Sequence, residues 1–350
     1  MLTLSAWVSL TNLEVRTSRE TFISPMPDSD PEIPLQERPA STPGGVFRLA
    51  ELSYTRLREL DRERTAVIFS VSPLEEHGPH LPVGTDLFSA EFFSQRLAER
   101  IVAEKPGWTV LLGPPVPLGA SAFDEAGTLL AGARTIRNLV VDYGAALARH
   151  GFRTILVSNG HGGPRHIVAL EEAAAAVSRR YGVRMLSLSG PIVWKILRGG
   201  FAEGVEARFA RPLTPEERDA LRGDAHAGLW ETSLILLIRP ELVSADFARL
   251  PAMRFPILDA LRKNYPLRLG NRLGYIGSPA PATVEFGQVA ARVLSDAAWE
   301  VARPVFDAPD ERWQQTSLLY RIPFLRSGFP YVAGGFSILL LLGLIYWLGR

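Results

Sequence analysis

The stretch TAVIFSVSPLEEHGPHLPVGTD, residues 65–86, joins an apolar run to a loop that is crowded with polar side chains. Its first seven residues, Thr65–Val71, have the β-branched and aromatic content of a strand that is buried on both faces, as in parallel sheets. The loop that follows carries carboxylate and imidazole groups at Glu75, His77 and Asp86. Glycines and prolines between them allow tight turns and limit the entropy cost of fixing the loop. The stretch therefore predicts a strand-to-helix connection that carries a functional site.

The same alternation of strand and helix continues along the chain between about residues 46 and 307. Further buried strands are predicted at Trp108–Leu112, Thr154–Val157 and Arg184–Leu188. Helices are predicted at Leu87–Glu104, Thr135–His150, His166–Tyr181, Leu229–Ile238 and Val284–Arg303. Alternating βα units predict an α/β fold with a mainly parallel sheet and helices on both of its faces. In such sheets, functional groups gather in the loops beyond the carboxyl ends of the strands.

Two further loops carry metal-binding side-chain types. The loop NGHGG at 159–163 contains His161, and the segment GDAHAGLWETS at 223–233 contains His226 and Glu231. Only six histidines are present in the chain, and four of them fall in these loops and in the loop after Val71. There is no cysteine, which excludes disulfides, thiolate metal sites and cysteine nucleophiles. Imidazole and carboxylate groups at separate strand ends therefore predict a site for divalent metal ions.

Each of these side chains also has a purely structural interpretation when it is considered alone. Asp86 precedes an amphipathic stretch and suits a helix N-cap, and Glu231 suits the first turn of a helix. An isolated His77 or His161 would more often be a hydrogen-bonded core residue than a ligand. The glycine-rich loop 159–163 would also suit an anion, because its backbone amides could converge. Their joint occurrence at strand ends is what favours the metal site.

The overall composition excludes some classes of function. The chain has 350 residues, with 38 basic and 37 acidic side chains and a formal net charge of +1. This balance argues against a nucleic-acid-binding protein, which needs a basic face to neutralise phosphates. Hydrophobic residues make up 47% of the chain, which is enough for a sizeable core.

The two ends of the chain differ from its middle. Residues 1–45 predict a flexible, Pro-rich leader without an export signal, and residues 308–326 predict a linker after the 46–307 domain. Residues 327–350 predict a single transmembrane anchor, because 327–349 hold no charged side chain and about 20 apolar residues span a membrane. A buried C-terminal helix is the alternative. With the anchor at the C-terminus, we expect the large domain to lie in the cytoplasm.

Four motifs together resemble the creatininase, or creatinine amidohydrolase, family. They are E-x-H-G-P-H-L-P-x-G-T-D at 75–86, N-G-H-G-G at 159–163, H-A-G-x-x-E-T-S at 226–233 and GYIGSPAPATVEFG at 274–287. The similarity is colinear over residues 46–307. It implies a three-layer αβα fold, two divalent metal ions (Zn, Mn or Fe) and hydrolysis of amide C–N bonds in small molecules, which are often cyclic. It also implies a homo-oligomer, commonly a hexamer.

Carried over by position, the resemblance implies a role for each candidate side chain. Glu75 and His161 would bind one metal ion, His77 would bind the other, and Asp86 would bridge both. His226 matches the family histidine that lies beside the substrate and shuttles protons.

The chain departs from the creatininase pattern in two places. Creatininase has a carboxylate ligand of the second metal two residues after the histidine that matches His161, whereas this chain has Gly163. We assign the missing ligand to Glu231, which would bind the second metal or orient His226. The second departure is the loop GASAFDEAGTLL at 119–130, which lacks the family's His and Phe-Pro, so that creatinine is not the expected substrate.

The altered loop also supplies candidate substrate contacts. Ser121 and Asp124 in this loop and Trp230 in the 223–233 segment are the residues that we expect to contact the substrate. Phe123 and Trp230 would suit an apolar pocket, although aromatic residues at a helix start lie more often in a core.

The sequence therefore predicts a metal-dependent amidohydrolase that cleaves a cyclic amide or a formamide with a metal-activated water. One alternative is a peptidase that acts on a short modified peptide with the same metal centre. The other is a non-catalytic, membrane-tethered binding module, which the altered loop and Gly163 would allow. The joint presence of the histidines and carboxylates favours the enzyme.

Overall fold

The apolar run at Thr65–Ser70 forms the central strand of a parallel sheet in a computed structural model of the chain. The structure describes residues 44–197, 200–254, 273–307, 313–331, 334–335 and 337. Within these residues, the strands are β1 (Gly45–Arg48), β2 (Thr65–Ser70), β3 (Thr109–Leu112), β4 (Thr154–Ser158) and β5 (Arg184–Ser187). Their order in the sheet is β1-β3-β2-β4-β5, and every pair is parallel.

Helices follow the strands in the order that the alternating pattern predicts. They are α1 (Tyr54–Glu59), α2 (Thr85–Glu104), α3 (Ala133–Arg149), α4 (Pro164–Tyr181), α5 (Ser189–Leu197), α6 (Ala202–Glu206), α7 (Pro215–Arg222), α8 (Leu229–Ile238) and α9 (Val284–Asp307). Short 3-10 helices lie at Leu49–Glu51, Pro240–Leu242, Ala245–Arg249, Leu318–Arg321 and Pro323–Leu325.

Two apolar layers sandwich the sheet because successive side chains of β2 point to opposite faces. Val67 and Phe69 belong to a core that contains Val140 of α3 and Leu170 of α4. Ala66 and Ile68 belong to the opposite core, with side chains of α2 and α9 such as Leu97 and Trp299. The predicted three-layer αβα fold with a parallel sheet is therefore confirmed.

Several local features differ from the sequence-based prediction. The edge strand β1 and the helices α5 to α7 were not predicted. Helix α2 begins at Thr85, and Gly84 occupies its N-cap position, so that Asp86 lies in the first turn. The interpretation of Asp86 as the N-cap residue is therefore wrong, which leaves its carboxylate available for another role.

The segment after α9 packs against α4. Leu319 and Leu325 are buried beside Ile167 and Val168 of α4. The described residues contain no helix that is both long and apolar enough to cross a membrane. Residues 1–43 of the predicted leader (1–45) and most of the predicted anchor at 327–350 lie outside the described residues, so that both stay predictions, although Gly45 is the first residue of β1.

A buried carboxyl group holds this C-terminal segment to α4. Glu171 accepts hydrogen bonds from the backbone N–H of Ser317 (2.6 Å) and from its hydroxyl (2.9 Å). Burial raises the pKa of Glu171 to about 7, although both hydrogen bonds lower it. The folded chain therefore binds more protons than the unfolded chain between about pH 4.5 and 7, and the free energy of unfolding falls as the pH rises through this window.

The substitution Glu171→Gln should remove this pH dependence. A glutamine amide can accept from the Ser317 N–H and donate to its hydroxyl, but it does not ionise. We expect the variant to exceed wild type in unfolding free energy at pH 8 by up to about 3 kcal/mol, and to differ little at pH 5. Urea denaturation at both pH values tests this, with Glu172→Gln on the same helix as the control. Equal pH dependence in wild type and Glu171→Gln would contradict it.

Candidate metal centre

The loops that follow β2 and β4 meet the first turns of α2 and α8 in one cluster of ionisable side chains. The cluster contains all five predicted metal ligands, namely Glu75, His77, Asp86, His161 and Glu231. Their potential ligand atoms form overlapping groups in which all atoms lie within 4.8 Å of one another. These groups are Glu75 with His77 and His226, Glu75 with Asp86 and His161, and His77 with Asp86 and Glu231. Asp86 thus belongs to two groups, as a bridging carboxylate would.

The ring of His77 is oriented by the backbone of its own loop. Its Nδ1 lies 2.9 Å from the carbonyl oxygen of Glu75. Because a carbonyl only accepts, Nδ1 carries the hydrogen of the neutral ring and Nε2 keeps its lone pair. That Nε2 lies 3.3 Å from Asp86 Oδ1 and 3.7 Å from Glu231 Oε2. The geometry leaves the free nitrogen facing two carboxylates.

His161 is also oriented by a backbone carbonyl, but through Nε2 where His77 uses Nδ1. Its Nε2 donates to the carbonyl oxygen of Ala120, at 3.2 Å. Its Nδ1 lies 2.9 Å from Glu75 Oε2 and 3.1 Å from Asp86 Oδ2. The neutral ring therefore directs the lone pair of Nδ1 at these two carboxylates, which is the arrangement of a metal-binding histidine with an outer hydrogen-bond partner.

The cluster contains buried lone pairs that the described residues leave without hydrogen bonds. Glu75 Oε2, His77 Nε2 and Asp86 Oδ2 are buried and have no hydrogen-bond partner among those residues. Glu75 Oε2 and Asp86 Oδ2 both lie close to His161 Nδ1, at 2.9 and 3.1 Å, and His77 Nε2 lies 3.3 Å from the other oxygen of Asp86. Buried polar atoms are nearly always paired, so that a convergent set of unpaired lone pairs fits a bound cation. A donor set of oxygen and imidazole nitrogen suits Zn, Mn or Fe.

The charges of the cluster lead to the same conclusion. Burial by itself raises the pKa of Asp86, but His77 and His161 hold it well below its usual value. Burial by itself lowers the pKa of His77, but Asp86 and Glu231 raise it to about 10. Asp86 is thus ionised and requires positive charge beside it, which protons on the histidines supply in the absence of metal. Divalent cations would replace these protons.

Gly163 shows why a carboxylate ligand has no room at its position. A Cβ atom on Gly163 would lie 2.2 Å from His161 Nε2 and 2.8 Å from the carbonyl oxygen of Ser121. Glu231 approaches the cluster from α8 instead, and its Oε2 also accepts from the backbone N–H of Ala227. This location fits the assignment of Glu231 as the replacement ligand, which stays a prediction.

His226 lies beside the cluster and is held by its backbone and by its ring. Its backbone forms an antiparallel bridge with Ile276, with N–O distances of 2.9 and 2.8 Å. Its Nε2 donates to the carbonyl oxygen of Glu76 at 2.9 Å, so that Nδ1 keeps the lone pair of the neutral ring. The ring centroid lies 4.3 Å from that of His77 and 4.6 Å from that of Phe123.

The fourth motif supports His226 through Glu76. Gly274 adopts a φ of +69°, and a Cβ on it would lie 2.1 Å from Glu76 Oε2. Glycine is thus required there by both conformation and space. The segment at 274–277 is therefore part of the wall behind His226.

The predicted substrate contacts occupy different surroundings. Ser121 and Asp124 are exposed on the 119–130 loop, and Ser121 has a φ of +61°. Trp230 is buried in a second core, where its ring packs against Phe201 and Phe286. Of the two aromatic residues considered for an apolar pocket, only Phe123 packs against His226.

Two histidines near the cluster have roles that sequence reasoning missed. His80 is hydrogen-bonded through Nε2 to the Thr232 hydroxyl (2.9 Å). It thus connects the loop that carries Glu75 and His77, called the ligand loop below, to α8. His166, in the first turn of α4, is hydrogen-bonded to the backbone of Ala120 and of Val71. The position of His166 in the helix that follows NGHGG was the available signal, because that turn faces the end of the strand.

Comparison with known proteins identifies the family of this chain. Residues 50–302 match the family model described as Creatininase, creatinine amidohydrolase. A curated relative named mycofactocin precursor peptide peptidase, from Mycobacterium ulcerans (strain Agy99), is 32% identical over 73% of this chain and 92% of its own length. The creatinine amidohydrolase of Pseudomonas putida is 28% identical over 71% of this chain and 90% of its own.

Solved structures agree on the fold. A structure named "Creatininase Mn" superposes with a TM-score of 0.56 at 22% identity, over 76% of this chain and 100% of its own. Creatininase has also been solved in a form named "Zn-Zn type". The names of these two solved structures thus refer to Mn and to Zn. The chain belongs to the creatinine amidohydrolase family, and it is a hydrolase of carbon–nitrogen bonds.

Proposed function

We propose that the chain hydrolyses an amide C–N bond at a centre of two divalent metal ions. One ion would be held by Glu75, Asp86 and His161, and the other by His77, Asp86 and Glu231. The observation that carries the proposal is the convergence of buried, unpaired lone pairs on Glu75, His77 and Asp86.

In this proposal the metal ions would activate the water and the amide, and the chain's own residues transfer the proton. Two bound divalent ions would supply a water that ionises near neutral pH and would polarise the amide carbonyl. The chain supplies the proton carrier, because Nε2 of His226 donates to the Glu76 carbonyl and Nδ1 keeps a lone pair. Nδ1 takes a proton from the attacking water and returns it to the departing nitrogen. The Glu76 carbonyl holds the ring in the tautomer that this role requires.

The substrate that we propose is a small cyclic amide or a formamide. A short peptide is the second candidate, and one relative's name and the surface beside the centre favour it. Leu129 and Leu130 are 49% and 46% exposed, and the backbone N–H of Leu129 donates to Leu74 in the ligand loop. Exposed apolar side chains on a segment that hydrogen-bonds to the loop of Glu75 and His77 suit a substrate that extends beyond a single ring.

The test combines metal analysis with an activity panel on the full chain. The protein is stripped with a chelator, reconstituted with Zn²⁺, Mn²⁺ or Fe²⁺, and incubated with a cyclic amide, an N-formyl amine and short peptides. We expect two metal ions per chain, cleavage of at least one class, and loss of that cleavage in His226→Ala. Absence of stoichiometric metal after reconstitution would refute the metal centre. Metal binding without cleavage of any class would favour the non-catalytic binding module.

We also propose a C-terminal membrane anchor, a cytoplasmic location of the large domain and a homo-oligomer. Residues 327–349 contain no charged side chain, which supports a membrane anchor with the domain on the cytoplasmic side. Sedimentation of the full chain with membranes, and protection of its domain from external protease, test this. A homo-oligomer, such as the hexamer that the resemblance implies, would appear in analytical ultracentrifugation.

A further inference from the structure

The backbone of the loop at 119–130, called the substrate loop below, braces two of the candidate metal ligands. The carbonyl oxygen of Ala120 accepts from His161 Nε2 at 3.2 Å, and this leaves Nδ1 facing the carboxylates. The backbone N–H of Phe123 donates to Glu75 Oε1 at 2.6 Å. The other oxygen of Glu75, Oε2, is left buried and unpaired among the described residues. The loop thus selects which atom of each ligand remains free.

His166 holds this loop through a hydrogen bond to its backbone. It is fully buried, and its Nδ1 lies 3.2 Å from the backbone nitrogen of Ala120. A backbone N–H only donates, so that Nδ1 must be the acceptor and Nε2 must carry the hydrogen. Nε2 donates to the carbonyl oxygen of Val71 at 3.1 Å. Burial lowers the pKa of His166 to about 3, which agrees with a neutral ring.

His166 therefore connects the loop at 119–130, which braces two ligands, to the end of the strand that precedes Glu75 and His77. Val71 is the last residue before the loop that contains Glu75 and His77, and Ala120 begins the brace itself. The ring of His166 also packs edge-on against that of His161, with centroids 5.4 Å apart.

The braced loop has a conformation that needs such support. Ser121 adopts a φ of +61°, which is unfavourable for a residue with a side chain and persists where surrounding contacts impose it. Its carbonyl oxygen and that of Ala120 fill the space beside Gly163, where a Cβ would lie 2.8 and 2.9 Å from them. The backbone of the loop thus occupies the space that a side chain at position 163 would need.

From this geometry we propose that His166 is a positioning residue that sets metal affinity, by holding residues 120–123 against Glu75 and His161. The inference rests on the proposed metal centre. His166 itself contacts neither the metal nor the substrate in this proposal, and it acts through the two ligands that the loop orients.

Two substitutions separate the two hydrogen bonds of His166. In His166→Asn, the side-chain oxygen lies near the place of Nδ1 and can still accept from the Ala120 N–H. In His166→Gln, the amide nitrogen lies near the place of Nε2 and can still donate to Val71, but the acceptor for Ala120 is lost. Both variants lose one hydrogen bond, so that their losses of stability should be similar.

The readout is the Zn²⁺ dissociation constant of the full chain, measured by competition with a chromophoric chelator. We expect His166→Gln to weaken Zn²⁺ binding by about 10- to 100-fold, the effect typical of an outer hydrogen-bond partner of a metal ligand. We expect His166→Asn to remain within a few-fold of wild type. Equal weakening in both variants, or wild-type affinity in His166→Gln, would overturn the positioning role.

The design distinguishes this inference from the proposed function. If wild type binds no Zn²⁺, then the metal centre itself is refuted. If wild type binds and His166→Gln binds equally well, only the role of His166 is refuted. Should neither variant fold, NMR of the wild type labelled with ¹⁵N-histidine decides through the ring tautomer. A hydrogen on Nε2 supports the positioning role of His166, and a hydrogen on Nδ1 overturns it because Nδ1 could not then accept from Ala120.

Discussion

Replacement of Asp86 by asparagine is expected to remove metal from the site and to lower kcat/KM by more than about 10³-fold. Asp86 is the side chain shared by the group that contains Glu75 and His161 and the group that contains His77 and Glu231. It is 1% exposed, and it lies 3.3 Å from His77 Nε2 and 3.1 Å from His161 Nδ1. Loss of a single oxyanion-stabilising donor typically costs about 10²–10³ in rate, and loss of a shared ligand should cost more.

The asparagine variant removes the negative charge of Asp86 and keeps the shape of the side chain. The amide has nearly the same volume as the carboxylate, so that α2 should keep its packing, whereas the affinity for a second cation should fall. Metal content by mass spectrometry and kcat/KM on whichever amide is cleaved are the measurements. Glu99→Gln, at an exposed position on the same helix, is the matched control and should retain both metal ions. An Asp86→Asn protein with two bound metals and wild-type activity would contradict the bridging role.

The central part of the fold was predictable because its signals are local. The run at 65–71 can only be buried on both faces, and the loop after it places polar groups at the end of the resulting strand. The edge strand Gly45–Arg48 was missed because four residues of mixed polarity carry too little periodicity to predict a strand. The five-residue helix Ala202–Glu206 was missed for the same reason. The helix Pro215–Arg222 did have a local signal, the capping box of Thr214 and Glu217, which the sequence reasoning overlooked.

The site was only partly predictable because the sequence names residue types and not their directions. Trp230 and Phe123 were equal candidates for a pocket, yet one ring packs with Phe286 and the other against His226. His166 has the residue type of a ligand, but its two nitrogens are both engaged by backbone groups. The hydrogen bond from Ala120 joins segments that lie 46 residues apart, and no local sequence pattern encodes such a contact.

The consequence of Gly163 also depends on three-dimensional contacts. From the sequence, Gly163 is a missing ligand. In the structure, the space beside it is filled by the backbone of residues 120–121, so that the ligand change and the altered substrate loop form one feature. An enzyme with this loop would need its second-site carboxylate from another direction, and Glu231 on α8 is the residue that we propose for it.

Replacement of Glu231 by glutamine tests whether Glu231 takes the place of the carboxylate that is missing at Gly163. We expect the metal content to fall from two ions to one, because Glu75, Asp86 and His161 would still form the first group, while His77 would lose a carboxylate neighbour. Activity should fall by at least about 10²-fold. Glutamine can still accept from the Ala227 N–H, so that the start of α8 should remain folded. Glu241→Gln, at an exposed position beyond α8, is the control.

The double variant Gly163→Glu with Glu231→Gln then asks whether the creatininase arrangement can be restored. We expect no recovery of the second metal ion, because a Cβ at position 163 would lie 2.2 Å from His161 Nε2 and 2.8 Å from the Ser121 carbonyl. The added side chain would displace either a first-site ligand or the loop that braces it. Recovery of two ions and of activity would show that the loop yields to a carboxylate at 163. In that case the two departures from the family pattern would be independent of each other.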